Sequence, residues 1–217
     1  MKEQLLSEIS EFLQKGRKKQ VVAKVQEALD NGVDAKSILQ DGLLAGMAIL
    51  GVEFRENRVY VPDVLVAARA MNEGAALLET YLAEEGVTAT GKAIIGTVEG
   101  DMHDIGKNLV IMMLKGVGFD VVDIGIDVPA QNFIDAAEEH NADIVCISAL
   151  LTTTMPRCPE IIDLFKAQGV RDKYIIMVGG APVNQPFATE IGADYYAKDA
   201  ATAADIAKAA VAKKRGQ

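Results

Sequence analysis

A short loop near the middle of the sequence carries residue types that could hold a transition metal. It follows the apolar run Ala93–Val98, which has the composition of a buried strand. The loop reads Glu99-Gly100-Asp101-Met102-His103-Asp104-Ile105-Gly106. A neutral imidazole coordinates transition metals, and a nearby carboxylate fixes its tautomer and raises its basicity. His103 and Asp101 are spaced for these two roles, and Gly106 has no side chain to obstruct a ligand that approaches closely.

A lone histidine in a loop is more often an ordinary surface residue. Two further strand ends, however, support the interpretation of His103 as a ligand. A third predicted strand, Asp143–Ser148, ends in a hydroxyl-rich stretch that could hydrogen-bond a polar ligand. That stretch reads Ser148-Ala149-Leu150-Leu151-Thr152-Thr153-Thr154. A fourth, Tyr174–Val178, ends in Gly179-Gly180, which leaves room for a bulky group against the backbone. Together, the three strand ends predict a single ligand site.

From Lys92 onward the sequence alternates short apolar runs with amphipathic stretches. The runs are Ala93–Val98, Val121–Ile124, Asp143–Ser148, Tyr174–Val178 and Asp194–Tyr196, and helices are expected to begin near Ile105, Ala130, Pro156, Gln185 and Ala200. Such alternation builds a parallel sheet covered on both faces. It predicts a flavodoxin/Rossmann-like α/β domain with a five-stranded parallel sheet, whose ligands lie beyond the carboxyl ends of the strands.

The residues before this region have a helical period instead. Four amphipathic helices with short connections predict an antiparallel four-helix bundle in residues 1–89. The third helix begins at Asp34, a residue type suited to capping a helix N-terminus. The fourth begins at Val61 and runs to Gly86. We therefore expect two domains, an N-terminal bundle and an α/β domain over residues 90–217.

The composition limits the classes of partner. The chain has 22 Lys plus Arg against 31 Asp plus Glu, a formal net charge of -9. An acidic surface argues against nucleic acid as a partner, because phosphate binding relies on cationic side chains. No basic-then-apolar leader is present and no uninterrupted apolar run approaches about 20 residues, so no membrane partner is expected. Cys146 in a strand and Cys158 in a loop lack CxxC spacing, which fits a reducing cytoplasm.

The motif at the three strand ends resembles that of a known family. Asp101-x-His103-x-x-Gly106, then Ser148-x-Leu150, then Gly179-Gly180 is similar to the DxHxxG…SxL…GG signature of corrinoid-binding domains. In the helical half, Gly51-Val52-Glu53-Phe54 and Val61-Pro62 resemble the GxxF…P pattern of the helical cap module of corrinoid methyltransferases. The resemblance spans nearly the whole chain. It is strongest to the small corrinoid proteins that serve methylamine, betaine, methanol and methoxy-aromatic methyltransferases.

The resemblance implies a role for each residue of the motif. His103 would replace the cofactor's own benzimidazole as the lower axial ligand of cobalt, with Asp101 on its other nitrogen and Thr154 continuing a hydrogen-bonded relay. Phe54 and Val61 would shield the upper face of the cobalt. The other implied cofactor-binding positions lie in the first loop and at the next two strand ends: Gly100, Met102, Asp104, Ile105, Gly106, Ser148, Leu150, Thr152, Gly179 and Gly180.

The same resemblance implies a methyl shuttle that is not an enzyme on its own. Its cofactor would be cobalamin or a related corrinoid, in the cob(I)alamin and methylcobalamin forms. The cobalt would accept a methyl group through a substrate-specific methyltransferase and pass it to a second methyltransferase, with tetrahydrofolate or coenzyme M as the acceptor. A reductive activator would restore oxidised cobalt. The chain has no room for a barrel that activates a methyl donor, so these partners are expected to be separate proteins.

Three other classes of protein share parts of this pattern. A corrinoid-dependent mutase uses the same loop motif, but it needs a substrate barrel and usually lacks the helical cap. A corrinoid-sensing transcription regulator also joins a bundle to such a domain, but it needs a DNA-binding element ahead of a first helix that is expected close to Met1. A phosphoacceptor receiver domain shares the sheet order, but it requires an aspartate where Ser148 stands. The mutase subunit and the regulator remain as alternatives.

Overall fold

The computed structural model describes residues 2–216, and the chain divides into two compact units. The first unit is Met1–Ala89 together with Gly116–Gly118, and the second is Thr90–Lys115 together with Phe119–Gln217. Helices make up the first unit, whereas the second contains a parallel sheet with helices between its strands.

The first unit is the predicted helical bundle. Its helices are α1 (Lys2–Gln14), α2 (Lys18–Asp30), α3 (Ala35–Ser37), α4 (Ala45–Arg55), α5 (Val61–Ala76) and α6 (Glu79–Glu84), and the π-helical turns Ile38–Leu44 join α3 directly to α4. Asp34 caps α3 as predicted, since its side chain accepts the backbone N–H of Ser37 at 2.8 Å. Gly46 lets α4 approach α1 closely, because a Cβ there would lie 3.1 Å from the backbone of Ser10.

The fourth helix is shorter than the sequence predicts. It was expected to run to Gly86, but α5 ends at Ala76 and the short α6 follows. The helical ladder tightens at this point into a three-residue turn, in which the Leu78 N–H donates to the Ala75 carbonyl at 2.9 Å. This turn allows Leu78 to be fully buried. The expectation of one continuous helix was therefore wrong.

The third helix, Ala35–Arg55, is long and apolar enough to cross a membrane by length and composition alone. The sequence had not suggested such a helix, because polar residues interrupt its apolar stretches. Four of its large apolar side chains are at most 2% exposed: Ile38, Leu43, Met47 and Leu50. This face of the helix therefore packs in the core of the bundle, whereas Ile49 and Val52 are exposed.

The second unit has five parallel strands in the order β2-β1-β3-β4-β5, the predicted flavodoxin-like arrangement. The strands are β1 (Gly91–Val98), β2 (Phe119–Val128), β3 (Ile144–Ser148), β4 (Ile175–Gly179) and β5 (Tyr195–Ala197). The helices are α7 (Ile105–Gly116), α8 (Ala130–Glu139), α9 (Arg157–Ala167), α10 (Gln185–Ile191) and α11 (Ala200–Lys214). The strand and helix positions expected from residue 92 onward are thus confirmed, with ends that differ by a few residues.

The central strands end at the same edge of the sheet. Thr97 on β1 is in register with Ser148 on β3, and Ser148 is in register with Gly179 on β4. The interior residues of β3 and β4 are buried, as in a parallel sheet covered on both faces. This register brings the loops that follow β1, β3 and β4 to one edge.

Candidate functional site

The loop after β1 places a histidine beside a buried carboxylate. The Nδ1 atom of His103 lies 2.7 Å from Oδ1 of Asp101, and the backbone N–H of His103 donates to the same oxygen at 3.1 Å. The carbonyl of His103 accepts the hydroxyl of Thr97, which is buried on β1, at 2.8 Å. Both the ring and the backbone of His103 are therefore held, and the predicted pairing of Asp101 with His103 is present.

The other oxygen of Asp101 faces the end of β3. Its Oδ2 accepts the backbone N–H of Leu150 at 2.7 Å, the N–H of Leu151 at 3.3 Å and the hydroxyl of Thr154 at 2.8 Å. Burial alone raises the pKa of Asp101, but the hydrogen bonds from Leu150, His103 and Thr154 outweigh it and hold that pKa well below its usual range. Asp101 is thus a carboxylate at neutral pH, and it joins the first and second predicted strand ends.

This arrangement fixes the tautomer of the imidazole. A carboxylate accepts hydrogen bonds only, so the proton of a neutral His103 ring resides on Nδ1 and leaves a lone pair on Nε2. The side chain of Asp101 is 0% exposed, whereas that of His103 is 49% exposed. The network is therefore buried on its carboxylate side and open on its imidazole side, as a metal ligand requires.

The surface around the exposed edge of His103 is apolar and open. Met102 is 65% exposed and Ile105 is 72% exposed, so two large apolar side chains flank the histidine. A Cβ built on Gly106 would meet no atom within 4 Å, so this side of the loop is open. Asp104 is exposed and accepts a hydrogen bond from Asn108. A broad apolar ligand bound here would cover Met102 and Ile105 and could lie against Gly106.

The ends of β3 and β4 pack closely at the same edge of the sheet and leave little room for side chains. Gly180 has φ +127°, and a Cβ there would lie 1.8 Å from the carbonyl oxygen of Ala149, so only glycine fits. The Ala149 N–H donates to the Gly179 carbonyl at 3.1 Å, which ties the two strand ends together. Ser148 and Leu150 are half-buried, whereas Thr152 is exposed in the turn after β3. At Gly180 the glycine is thus required by the contact with the Ala149 backbone rather than by room for a ligand. The expected path of a polar tail along these strand ends stays a prediction.

Phe54 and Val61, the expected cap residues, belong to the first compact unit. Phe54 lies near the end of α4 and Val61 opens α5, and both are half-buried. Arg58 forms ion pairs with Glu53 and Glu56 in the connection between these helices. The role of Phe54 and Val61 over a cobalt face stays a prediction.

Residues from β2 that sequence reasoning missed also hold the loop. Asp127 accepts the N–H of Gly100 at 2.7 Å and donates its own N–H to the carbonyl of Asp101 at 3.0 Å. The buried Lys107 forms an ion pair with Asp123 at 2.6 Å. The only sequence signal was Gly125 inside a strand pattern, which often marks a bulge.

Residues 2–216 contain no group of three or more His, Cys, Asp and Glu side chains that could hold a metal ion. Both cysteines are buried, and burial raises the pKa of each thiol to about 12. Cys158 lies in the first turn of α9, so its expected loop position was wrong.

Matches to family models define the chain as a carrier of a bound cofactor. One model, described as a B12 binding domain, matches residues 91–206 and covers the sheet and the His103 loop. A second model with the same description matches residues 5–79 in the helical bundle. The chain belongs to the family of B12-binding domains.

Similar proteins cover nearly the full length of the chain. A dimethylamine corrinoid protein of Methanosarcina barkeri is 45% identical over 209 residues, which are 95% of this chain and 97% of that protein. A corrinoid protein of Desulfitobacterium hafniense is 40% identical over 206 residues, covering 94% of this chain and 95% of that protein. A chain of the methanol:cobalamin methyltransferase complex MtaBC from Methanosarcina barkeri has TM-score 0.84 and 33% identity, covering 96% of this chain and 80% of that chain.

Proposed function

We propose that this protein is the methyl-carrying corrinoid subunit of a methyltransferase system, with cobalt held by Nε2 of His103. The observation that carries the proposal is the contact between the half-exposed imidazole of His103 and the buried carboxylate of Asp101 at 2.7 Å. When bound, the corrinoid supplies a cobalt centre that can take up and release a methyl group. The polypeptide then has to hold, orient and shield this cofactor.

Each residue of the network has a distinct task in this proposal. His103 binds the metal through Nε2, and Asp101 keeps the ring proton on Nδ1 and the ring in one orientation. Thr154 has one hydroxyl proton, and its contacts with Asp101 at 2.8 Å and with the Leu151 carbonyl at 3.0 Å compete for it. When the Thr154 hydroxyl donates to Asp101, it offsets part of the negative charge of the carboxylate. Thr154 thereby adjusts how strongly Asp101 attracts the Nδ1 proton of His103.

The two halves of the chain divide the work. Residues 90–217 hold the corrinoid at the carboxyl edge of the sheet, with Ser148, Leu150, Thr152 and the Gly179-Gly180 pair receiving its nucleotide tail. Residues 1–89 would form the cap that shields the bound cofactor, with Phe54 and Val61 as the shielding side chains. This division agrees with the separate matches of B12 binding domain models to residues 91–206 and 5–79.

Methyl transfer then depends on partner proteins. The relatives include proteins named for dimethylamine, and a structural neighbour is a chain of a methanol:cobalamin methyltransferase complex. We therefore propose a substrate-specific methyltransferase that loads the cobalt, a second one that unloads it to tetrahydrofolate or coenzyme M, and a reductive activator. The proposed location of the whole system is the cytoplasm.

Replacing His103 tests the ligand assignment, and replacing the second histidine, His140, is the control. The full chain is reconstituted with cobalamin under anaerobic conditions, and the absorption spectrum is recorded before and after reduction. His103→Ala is expected to lose the spectrum of a histidine-ligated, base-off corrinoid and to retain the cofactor less well. His140→Ala is the matched control, because His140 ends α8 and lies outside the loop. An unchanged histidine-ligated spectrum in His103→Ala would contradict the proposal.

A transfer assay tests the carrier function. The loaded protein by itself is expected not to demethylate dimethylamine or methanol. It should become methylated only when a cognate methyltransferase is added, as followed by the change in the cobalt absorption bands. Turnover of either compound by the loaded protein alone would show a self-sufficient enzyme and would overturn the proposal.

A further inference from the structure

The carboxyl half of β2 departs from regular strand pairing beside the His103 loop. While β1 advances from Ile95 to Val98, β2 advances from Asp123 to Val128, so β2 carries two extra residues over this stretch. Bulges of this kind bend a strand and redirect its side chains. Within the bulged stretch, Asp127 has φ +53°, a left-handed conformation that costs energy in a residue other than glycine. Such a conformation persists only where surrounding contacts enforce it.

The contacts of Asp127 reach the residues just before His103. Its Oδ1 accepts the N–H of Gly100 at 2.7 Å, and its N–H donates to the carbonyl of Asp101 at 3.0 Å. These two hydrogen bonds run in opposite directions and hold both peptide groups against the end of β2. Asp101 orients the His103 ring, and Asp127 in turn fixes the backbone of Asp101.

A second contact from the same strand holds the chain just after His103. Lys107 is 3% exposed, and its Nζ lies 2.6 Å from each carboxylate oxygen of Asp123. The carboxylate of Asp123 also accepts the N–H of Gly125 within the bulge at 2.9 Å. A buried lysine depends on its partner, because an unpaired buried charge is strongly unfavourable. The bulged part of β2 therefore contacts the chain on both sides of His103, by hydrogen bonds before it and by an ion pair after it.

We propose that Asp127 is a positioning residue for His103 and that the Lys107–Asp123 pair supports the following helix for the same purpose. The inference rests on the proposed function, since it takes His103 as the metal ligand. A metal ligand has to be held within about 0.5 Å of its productive position by the groups behind it. The hydrogen bonds of Asp101 to β3 fix its carboxylate, while those of Asp127 fix its peptide groups. Both sets are needed to define where Nε2 lies.

Replacements at Asp127 separate positioning from general stability. Asp127→Asn keeps an oxygen that can accept the Gly100 N–H and tolerates the left-handed backbone. Asp127→Gly keeps the backbone freedom and the backbone N–H that donates to Asp101, and loses only the side-chain acceptor of the Gly100 N–H. Asp194→Ala is a matched control, because the Asp194 carboxylate accepts the N–H of Ile176 at 2.7 Å, at the opposite end of the strands. Each full-length variant is loaded with cobalamin and reduced to the Co(II) state. Each protein is produced with nitrogen-15 histidine, so that electron paramagnetic resonance gives the ratio of histidine-ligated cobalt to cobalt without a histidine ligand.

Asp127→Gly is expected to lower this ratio by about tenfold, in line with other residues that orient metal ligands. Asp127→Asn should keep the ratio within about threefold of the original protein, because its amide oxygen still accepts the Gly100 N–H. A small decrease is expected, since a neutral acceptor binds less strongly than a charged one. Asp194→Ala should leave the ratio unchanged even if it lowers the unfolding temperature. An unchanged ratio in Asp127→Gly, or an equal fall in Asp194→Ala, would overturn the inference.

Lys107→Met provides an independent test of the inference if Asp127→Gly does not fold. Methionine fills a similar volume without the charge, and Asp123, whose side chain is 42% exposed, can then be hydrated. The ratio of ligated to unligated cobalt should again fall several-fold, and an unchanged ratio in Lys107→Met would contradict the inference. Failure of the proposed function has a different signature, because His103→Ala would then match the original protein in the same experiment.

Discussion

At the scale of single residues, the site is an imidazole whose chemistry is set by one buried carboxylate. Asp101 accepts hydrogen bonds from its own loop through Oδ1 and from the end of β3 through Oδ2. The DxH spacing made this pair predictable, since residues two apart in a loop can meet. The partners of Oδ2 were only partly predictable. The Thr154 hydroxyl followed from the resemblance, but backbone donors such as the Leu150 N–H leave no mark in a sequence.

Asp101→Asn is expected to reverse the tautomer of His103. The amide oxygen can accept the donors from β3, which turns the amide N–H toward Nδ1 of His103. The ring proton then moves to Nε2, and the lone pair needed for cobalt is lost. We expect corrinoid affinity to fall about 10- to 100-fold in a folded protein. Spectral titration with cobalamin measures this, with Asp135→Asn on the exposed side of α8 as the control, and equal affinities of Asp101→Asn and the original protein would contradict the assignment.

Asp101 also makes stability depend on acid pH. Its carboxyl has a lowered pKa in the folded chain, so its contribution is fully present above the unfolded-state value of about 3.9 and declines as the pH falls below it. Without corrinoid, the original protein should exceed Asp101→Asn in unfolding free energy by roughly 3 kcal/mol at neutral pH. Urea titrations should show this difference shrinking below about pH 4. A difference that stays constant down to pH 3 would argue against the network.

At the scale of elements, three strand ends and one bulged strand bring the site together. The alternation of apolar runs and amphipathic stretches was enough to predict the sheet, its helices and the edge at which ligands bind. Apart from Gly125, it held no signal for the bulges of β2, because an extra residue in a strand changes the direction of side chains without changing its composition. Asp123 and Asp127 were therefore missed. The break after Ala76 was missed as well, since Leu77 and Leu78 continue a helical pattern.

Two glycines of the motif should respond oppositely to alanine. Gly180→Ala should destabilise the fold by roughly 2–4 kcal/mol, because its Cβ would lie 1.8 Å from the Ala149 carbonyl oxygen at φ +127°. Gly106 lies in α7 with open space around its Cβ position, so Gly106→Ala should stabilise the corrinoid-free protein by about 0.5–1 kcal/mol. Its methyl group would nevertheless obstruct the corrin. Chemical denaturation and cobalamin titration of both variants check this, and full corrinoid binding by Gly106→Ala would contradict the proposed face.

At the scale of the whole molecule, the chain is a cofactor carrier of the B12-binding-domain family, with its corrinoid-binding motif in the α/β unit. A ligand that binds only the folded state stabilises it by about 2.7 kcal/mol when present at 100 times its dissociation constant. For a chain of this length, that corresponds to a rise in unfolding temperature of roughly 5–10 °C. Cobalamin should produce such a rise in the original protein and a much smaller one in His103→Ala. Equal shifts would place the cofactor elsewhere.

The central claim is that the nitrogen of one histidine side chain binds cobalt, and isotope labelling tests it directly. The His140→Ala protein, in which His103 is the remaining histidine, is produced with nitrogen-15 histidine and loaded with cobalamin. Its Co(II) electron paramagnetic resonance spectrum is compared with that of unlabelled protein. The account predicts that the superhyperfine splitting changes from the triplet of ordinary nitrogen to the doublet of nitrogen-15. A splitting that is unaffected by the label would show that the axial nitrogen comes from the cofactor and would contradict the claim.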